Sequence, residues 1–435
     1  MIASLARRLP FFYGWIVVAV VFVTMALAVN ARTAFSLLMP PILDEFGWNR
    51  GVTAGAFSFG FLVSALLSPT LGRLMDRYGP RVVNLLGVGI TTLGLLLATF
   101  SEVPWHLYAT LGVLVGGGSV CLGYSGQTLF LPNWFARRRG LATGLAFAGV
   151  GVGSILLFPW FQAVIEHAGW RSACWTLGLV VLVIAGPLTL LLRKRPEDLG
   201  LQPDGDAAPV SGPSGATPNN VVDPAWASVD WTLARAMRTT RFWWIGLGFS
   251  TGLYVWYAVQ VHQTKYLLEV GFSATEAAWA LGAVSLAGIP GQILLGALSD
   301  RIGREAVWAI GCLGFALTYA LLLALGAGGS ANAVLMYAMI VAQGLLGYGM
   351  TPVFGAIVME VFQGKHFGTI FGTLMLGAIG GGAVGPWVTG LLYDFTGGYA
   401  AAFWIAIACC ALSILAIWRA APGKVRTVAG RTRKV

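Results

Sequence analysis

Arg32 lies in a largely apolar stretch that continues through Leu38, and it is the one Arg or Lys placed well inside such a stretch. A guanidinium there has an evident chemistry, because its planar fork matches a carboxylate bidentately. Asn30, two residues earlier, adds amide donors. Other polar side chains fall inside later apolar runs: Tyr124, Ser125 and Gln127; Tyr254, Trp256, Tyr257, Gln260 and His262; Gln343, Tyr348 and Thr351. Hydroxyls and amides can shape a small ligand, and His262 can titrate near neutral pH. Acidic residues are informative by absence. None sits in the middle of a run, and Asp76, Asp300 and Glu360 all lie near run ends. One deep cation without a deep acid suits an anion and disfavours a cation. No nucleophile–base pair, nucleotide loop or Cys/His metal spacing is visible, so we expect no catalytic residue, no metal, no cofactor and no enzyme.

A second constellation recurs. Gly72-Arg73-Leu74-Met75-Asp76-Arg77-Tyr78-Gly79-Pro80-Arg81 has a counterpart in Gly296-Ala297-Leu298-Ser299-Asp300-Arg301-Ile302-Gly303-Arg304. Gly72 and Gly296 let a helix end pack closely. Asp76 and Asp300 can accept from Arg77, Arg301 or a nearby helix N-terminus, whose dipole favours negative charge. The later Gly permits a tight turn. Such a clasp can hold an inner gate shut and break as the gate opens.

The elements that must position these residues follow from composition. Of 435 residues, 57% are hydrophobic and 10% charged, against roughly 25% charged in an average soluble domain. The mean hydropathy is +0.77. This excludes a soluble enzyme, a disordered chain and a secreted disulfide scaffold, and it leaves an integral membrane protein. A span needs about 20 apolar residues. Twelve runs qualify, near 12–40, 51–71, 82–101, 105–131, 140–164, 172–192, 242–267, 275–297, 306–327, 333–358, 367–392 and 399–418. They are too long and too evenly apolar for barrel strands. The expected fold class is an all-α integral membrane protein of twelve transmembrane helices. The first run is too long for a signal-peptide core and is read as the first helix. All five cysteines fall within runs, so no disulfide is expected.

The net charge of +10 invites a nucleic-acid reading, but its placement argues otherwise. With the N-terminus inside, all but four of the 27 Lys and Arg are on the inner side. Arg50, Arg171 and Lys265 fall in outer loops, and Arg32 is in a span. This is the positive-inside pattern of a cytoplasmic (inner) membrane protein with both termini cytoplasmic. Its basic segments suit anionic lipid head groups, and no nucleic-acid partner is expected.

The spans divide six and six. Residues 1–192 form an N-terminal bundle, 193–241 a flexible cytoplasmic linker, 242–418 a C-terminal bundle and 419–435 a basic cytoplasmic tail. Within the linker, Asp230 to Arg238 reads as a short interfacial helix. The halves repeat each other. An offset of 224 carries Glu45 to Glu269, Gly72 to Gly296 and Asp76 to Asp300; an offset of 228 carries Gly140 and Gly144 to Gly368 and Gly372. An offset of 230 carries Asn30 and Arg32 to Gln260 and His262. Parallel six-helix repeats imply a site between the halves near the midplane, with access that alternates as one half rocks against the other.

These motifs, with Tyr13-Gly14-Trp15, Glu45-Phe46-Gly47-Trp48-Asn49-Arg50, Asn133-Trp134-Phe135 and Arg137-Arg138-Arg139-Gly140, resemble the major facilitator superfamily over essentially the whole chain. Phe362-Gln363-Gly364 and Tyr393-Asp394-Phe395-Thr396-Gly397-Gly398-Tyr399 look like its monocarboxylate transporter and oxalate–formate antiporter branches and their bacterial relatives. The resemblance implies that spans one, four, seven and ten line a central cavity. The substrate-binding set is then Arg32, Asn30, Tyr124, Gln127, Tyr257, Gln260, His262, Gln343 and Tyr348. The gating set is Gly72, Asp76, Arg77, Gly296, Asp300 and Arg301. Animal monocarboxylate transporters carry an Asp and an Arg in span eight, whereas Ser285 to Gln292 has neither. One Arg suggests a single carboxylate. The expectation is a monomeric secondary transporter of a small organic anion, most simply a monocarboxylate with proton symport. The alternatives are an exporter of an amphipathic or aromatic compound, suggested by the aromatics of span seven, and a membrane sensor.

Arg32 carries most of this reading. An Arg at a span centre costs at least about 2.5 kcal/mol. At 1.5 Å per residue Arg32 lies roughly 9 Å beyond the midplane. That depth also permits snorkelling to the outer head groups. His262, at a similar depth, is equally readable as an interfacial structural residue.

Overall fold

The computed structural model describes residues 10–48, 50–205, 220–328 and 331–428. Among them the chain is helical, with one isolated bridge between Val221 and Arg426. Nine runs among the described residues are long and apolar enough to cross a membrane. Two of these, Gly55–Ala98 and Arg139–Thr189, each contain two spans, because the backbone turns at Gly79 (φ 74°) and Gly169 (φ 80°). Only glycine adopts these angles without strain, so each helix pair reverses on a single residue. Helix Thr240–Glu269 is the twelfth span; Arg241, Gln260, His262, Gln263 and Lys265 lower its hydropathy. The architecture is that of twelve transmembrane helices. Span surfaces remain apolar where they are exposed, as at Leu66, Val183, Leu294 and Trp404, which suits lipid rather than water.

Span one is Gly14–Thr33 continued by Phe35–Phe46; Ala34 keeps helical angles (φ −58°, ψ −15°), so the two pieces join without a loop. Spans four and ten, partners in the repeat, both depart from α geometry. Span four has a π-helical stretch at Tyr108–Val115, and span ten has one at Ala342–Leu346 followed by a 3-10 segment at Gly347–Val353. Elsewhere the ends are capped conventionally: Ser273 and Glu276 form a reciprocal capping box, and Asn332 accepts from Val334 and Leu335.

The chain forms two compact units. The first comprises Met1–Ala136, Leu145–Gly212 and Phe371–Thr373; the second comprises Arg137–Gly144, Pro213–Ile370 and Leu374–Val435. In the first, small residues let backbones touch: a Cβ on Gly116 would lie 2.8 Å from Gly60 Cα, and one on Gly372 2.3 Å from the Ser68 carbonyl oxygen. In the second, the Trp308 indole donates to Ser413 Oγ (3.1 Å), whose hydroxyl donates to the Gly248 carbonyl (2.7 Å). Tyr319 donates to the Val255 carbonyl (2.7 Å).

The segment expected to be a flexible linker is ordered in its described parts. Trp134 Nε1 donates to the Arg193 carbonyl (3.1 Å), and Ala136 N–H to Asp204 Oδ2 (2.9 Å). Further along, Val222 N–H donates to the Val425 carbonyl (2.9 Å), and Trp226 Nε1 to the Val361 carbonyl (2.9 Å). Tryptophan and backbone contacts hold these parts down, which charge and Pro/Gly content did not reveal. Within Asp230 to Arg238 a short helix occurs at Leu233–Met237, capped by Thr232. Residues 206–219 and 429–435 lie outside the described residues.

Candidate substrate site and gate

Arg32 lies in span one close to the junction of Gly14–Thr33 with Phe35–Phe46. Its Cζ lies 3.7 Å from the Phe61 ring centroid and 5.9 Å from that of Phe57. Nη1 donates to Ser64 Oγ at 3.5 Å. The Ser64 hydroxyl in turn points at the Gly60 (2.7 Å) and Gly116 (3.1 Å) carbonyls, leaving its lone pairs for the guanidinium. A ring face and a buried hydroxyl thus orient the cation. Beside it is a small recess walled by Phe35, Leu38, Phe57, Leu111 and Val115. The phenylalanines and the serine come from span two, which the sequence reading had not connected with Arg32. Helical spacing across Phe57, Phe61 and Ser64 was the signal available.

The other first-unit candidates divide. Asn30 is buried, and its amide donates to the Ala26 (2.7 Å) and Val150 (3.0 Å) carbonyls. Both donors are engaged in packing, and the remaining oxygen is an acceptor that does not suit an anion. Gln127 is fully buried; its Nε2 donates to the Leu122 carbonyl (3.0 Å) and its Oε1 accepts from Asn84 (3.4 Å). These two expected ligands are therefore structural. Tyr124 is partly exposed and edge-on to Phe147, with centroids 5.0 Å apart.

In the second unit, Trp256 donates to Gln260 Oε1 (2.9 Å), and its ring packs on Tyr348 (4.3 Å) and Phe315 (5.3 Å). Tyr257 lies against Gly382, where a Cβ would be 2.6 Å from its ring. Gln343 is buried with its side-chain carbonyl oxygen unpartnered, and Thr351 donates to Gln292 Oε1 (3.1 Å). His262 is held on both sides: Nε2 lies 2.9 Å from the Pro386 carbonyl and Nδ1 3.3 Å from the Tyr399 hydroxyl. A carbonyl only accepts, so Nε2 donates to Pro386, and Nδ1 shares a hydrogen bond with the Tyr399 hydroxyl. That arrangement braces span seven and departs from the expectation of a ligand.

In the gate motif Asp76 finds its basic partner outside the motif, whereas Asp300 finds Arg304 within it. Asp76 Oδ1 is 3.5 Å from Lys194, whose Nζ also donates to the Asp76 carbonyl (2.9 Å), while Arg77 is exposed beside Tyr78. Asp300 pairs with Arg304 (2.7 Å), and Arg301 is exposed. Asp300 also accepts from the Gly140 (3.0 Å) and Leu141 (3.1 Å) amides at the start of helix Arg139–Phe147. Arg304 reaches Glu360 (3.0 Å) as well, and it also donates to Ser299 Oγ. Close approach needs glycine here: a Cβ on Gly140 would lie 2.0 Å from the Gly296 carbonyl oxygen, and one on Gly144 2.3 Å from that of Gln292. The contact of Gly144 with Gln292 and that of Gly372 with Ser68 are one contact repeated. The internal duplication thus extends to backbone packing. Gly72 is likewise buried.

Twelve apolar helices in a duplicated chain, with an ion-paired Asp at the corresponding turn of each half, define a polytopic membrane transporter. The family model described as Major Facilitator Superfamily matches residues 21–270 and again 263–434, and the chain belongs to that superfamily. It is 29% identical over 395 residues to "Monocarboxylate transporter 13" of Bos taurus, covering 91% of this chain and 86% of that one. It is 25% identical to "Uncharacterized MFS-type transporter YcxA" of Bacillus subtilis (strain 168), covering 88% and 90%. Its fold is similar to the proton:xylose symporter XylE bound to 6-bromo-6-deoxy-D-glucose, with TM-score 0.70, 14% identity and coverage of 94% and 95%. It is also similar to the transporter FucP in the outward conformation, with TM-score 0.66, 18% identity and coverage of 93% and 97%. The protein is a multi-pass membrane transporter and not an enzyme.

Proposed function

We propose that the protein carries a small organic monocarboxylate across the cytoplasmic membrane by alternating access, in symport with a proton. The observation that carries this reading is Arg32, a guanidinium kept in an apolar span and oriented by Phe61 and Ser64. Such a group binds a carboxylate bidentately. The names of its relatives agree with that chemistry: "Monocarboxylate transporter 13" is one. Arginine stays charged throughout, so Arg32 itself does not carry the coupling proton, and the hydrogen bonds of His262 suit a brace. Tyr124, Tyr257, Gln260 and Tyr348 remain as shaping residues. Asp76 and Asp300 act as inner gate clasps, and both termini face the cytoplasm.

Uptake of a carboxylate panel into proteoliposomes, with and without an inward pH gradient, tests this. Loss of one charge-assisted pair predicts a fall of about tenfold or more in kcat/KM for Arg32→Ala, with partial recovery in Arg32→Lys. Full transport by Arg32→Ala would remove the assignment. A second reading, export of an aromatic compound, is favoured by the packed Trp256, Tyr348 and Phe315 rings. Dye efflux from whole cells without carboxylate uptake would select it.

A further inference from the structure

We propose that the recess beside Arg32 is an acyl-chain pocket, so that the preferred substrate is a short, unsubstituted aliphatic carboxylate rather than a hydroxy acid. The inference rests on the reading of Arg32 as the carboxylate ligand and adds what the rest of the substrate must be.

Three observations converge. The first is lining chemistry. Apart from Arg32, the side chains around the recess are hydrocarbon: Phe35, Leu38, Phe57, Leu111 and Val115. The Gly60 carbonyl beside it already accepts from the Ser64 hydroxyl. A hydroxyl on the substrate would surrender its water and find no side-chain partner there. Such burial lowers affinity by roughly tenfold or more. The second is size. The recess has room for about one water-sized group, which matches one or two carbons of an acyl chain. Each methylene moved from water into it raises affinity roughly fourfold, until the space is full.

The third is backbone geometry. Leu111 and Val115 both belong to the π-helical stretch Tyr108–Val115 of span four. Wider π turns bring residues four apart close to one face, and such stretches are frequent at functional sites. Span four is held against span two by glycine contacts on both sides of Val115: a Cβ on Gly112 would lie 3.0 Å from the Ala56 carbonyl oxygen, and one on Gly116 3.0 Å from that of Gly60. The approach of span four to span two beside the pocket is thus set by backbone packing.

The test is competition against radiolabelled propionate uptake in proteoliposomes, using acetate, butyrate, pentanoate and lactate, on the full chain and three variants. For the parent chain we expect inhibition to strengthen roughly fourfold from acetate to propionate and to gain no further from butyrate or pentanoate. Propionate should outcompete lactate by about tenfold or more. Leu111→Ala enlarges the recess and should move the optimum one or two carbons longer. Val115→Thr keeps the shape and adds a hydroxyl, and it should narrow the propionate-to-lactate ratio at least about threefold. Parent transport that ranks lactate above propionate overturns the proposal. So does an unchanged propionate-to-lactate ratio in Val115→Thr, which decides the matter if Leu111→Ala fails to fold. Arg32→Ala separates the two levels. If it transports carboxylates normally, the underlying reading fails. If it abolishes uptake while the pocket variants keep the parent propionate-to-lactate ratio and chain-length optimum, only the pocket assignment fails.

Discussion

Asp300→Asn is the sharpest test of the gate. The Asp300 carboxylate accepts from two amides of helix Arg139–Phe147, at 3.0 and 3.1 Å, and pairs with the buried Arg304 at 2.7 Å. Asparagine keeps one acceptor oxygen, so one amide bond survives and the new NH2 group faces the other donor. Arg304 retains Glu360 at 3.0 Å, which limits the damage. The loss is one charge-assisted bond and a weakened buried pair, about 2–4 kcal/mol against the clasped conformation. At 1.4 kcal/mol per decade this is a shift of roughly thirty- to seven-hundred-fold toward the unclasped state. Thr143, 3% exposed, reports the contact. In a background with the five native cysteines replaced, a Thr143→Cys reporter should react with an impermeant maleimide about tenfold faster or more when Asp300→Asn is added. Arg301→Gln, one residue along but exposed, should leave the rate within about twofold. If Asp300→Asn lowers the melting temperature but leaves labelling unchanged, Asp300 is a static brace and the gate reasoning is refuted.

Three further outcomes are expected. Gly116→Ala forces a methyl to within 2.8 Å of Gly60 Cα and should destabilise the purified protein by about 1–3 kcal/mol in thermal unfolding; Gly89→Ala, with nothing within 4 Å, should not. His262→Phe removes the bonds to Pro386 and Tyr399 and should lower stability by about 1–2 kcal/mol, while uptake still responds to the pH gradient; loss of that response at unchanged stability would restore His262 as the proton carrier. Glu45, bonded by the Trp170 indole (2.6 Å) and by Arg171 (2.7 Å), is held below the ordinary carboxylate value of 4.5, with the Trp170 bond the larger cause. Its contribution is present above that value and lost as pH falls through the lowered one. The carboxylate is 40% exposed, so the difference in stability between the parent and Glu45→Gln should be a few tenths of a kcal/mol at neutral pH and vanish in acid.

Membrane class, twelve spans, the two-fold duplication and the depth of Arg32 are all determined by the sequence alone. They are properties of single segments: a span's hydropathy and the identity of one half with the other need no knowledge of neighbours. The turn glycines were legible for the same reason, since Gly79 and Gly303 do adopt positive φ where the repeated motif places them (74° and 100°). What a polar residue touches depends on which side of its helix meets another helix, and only the tertiary structure decided that. Arg301 and Arg304 are a few residues apart in the same motif, yet one is exposed and the other buried against Asp300 and Glu360. Lys194, far along the chain, takes the place beside Asp76 that Arg77 seemed suited to fill. Asn30 and Gln127 share spans with the candidate site but turn into helix contacts, where buried amides must find backbone partners. Phe61 and Ser64 read as ordinary span residues until packing sets them against Arg32.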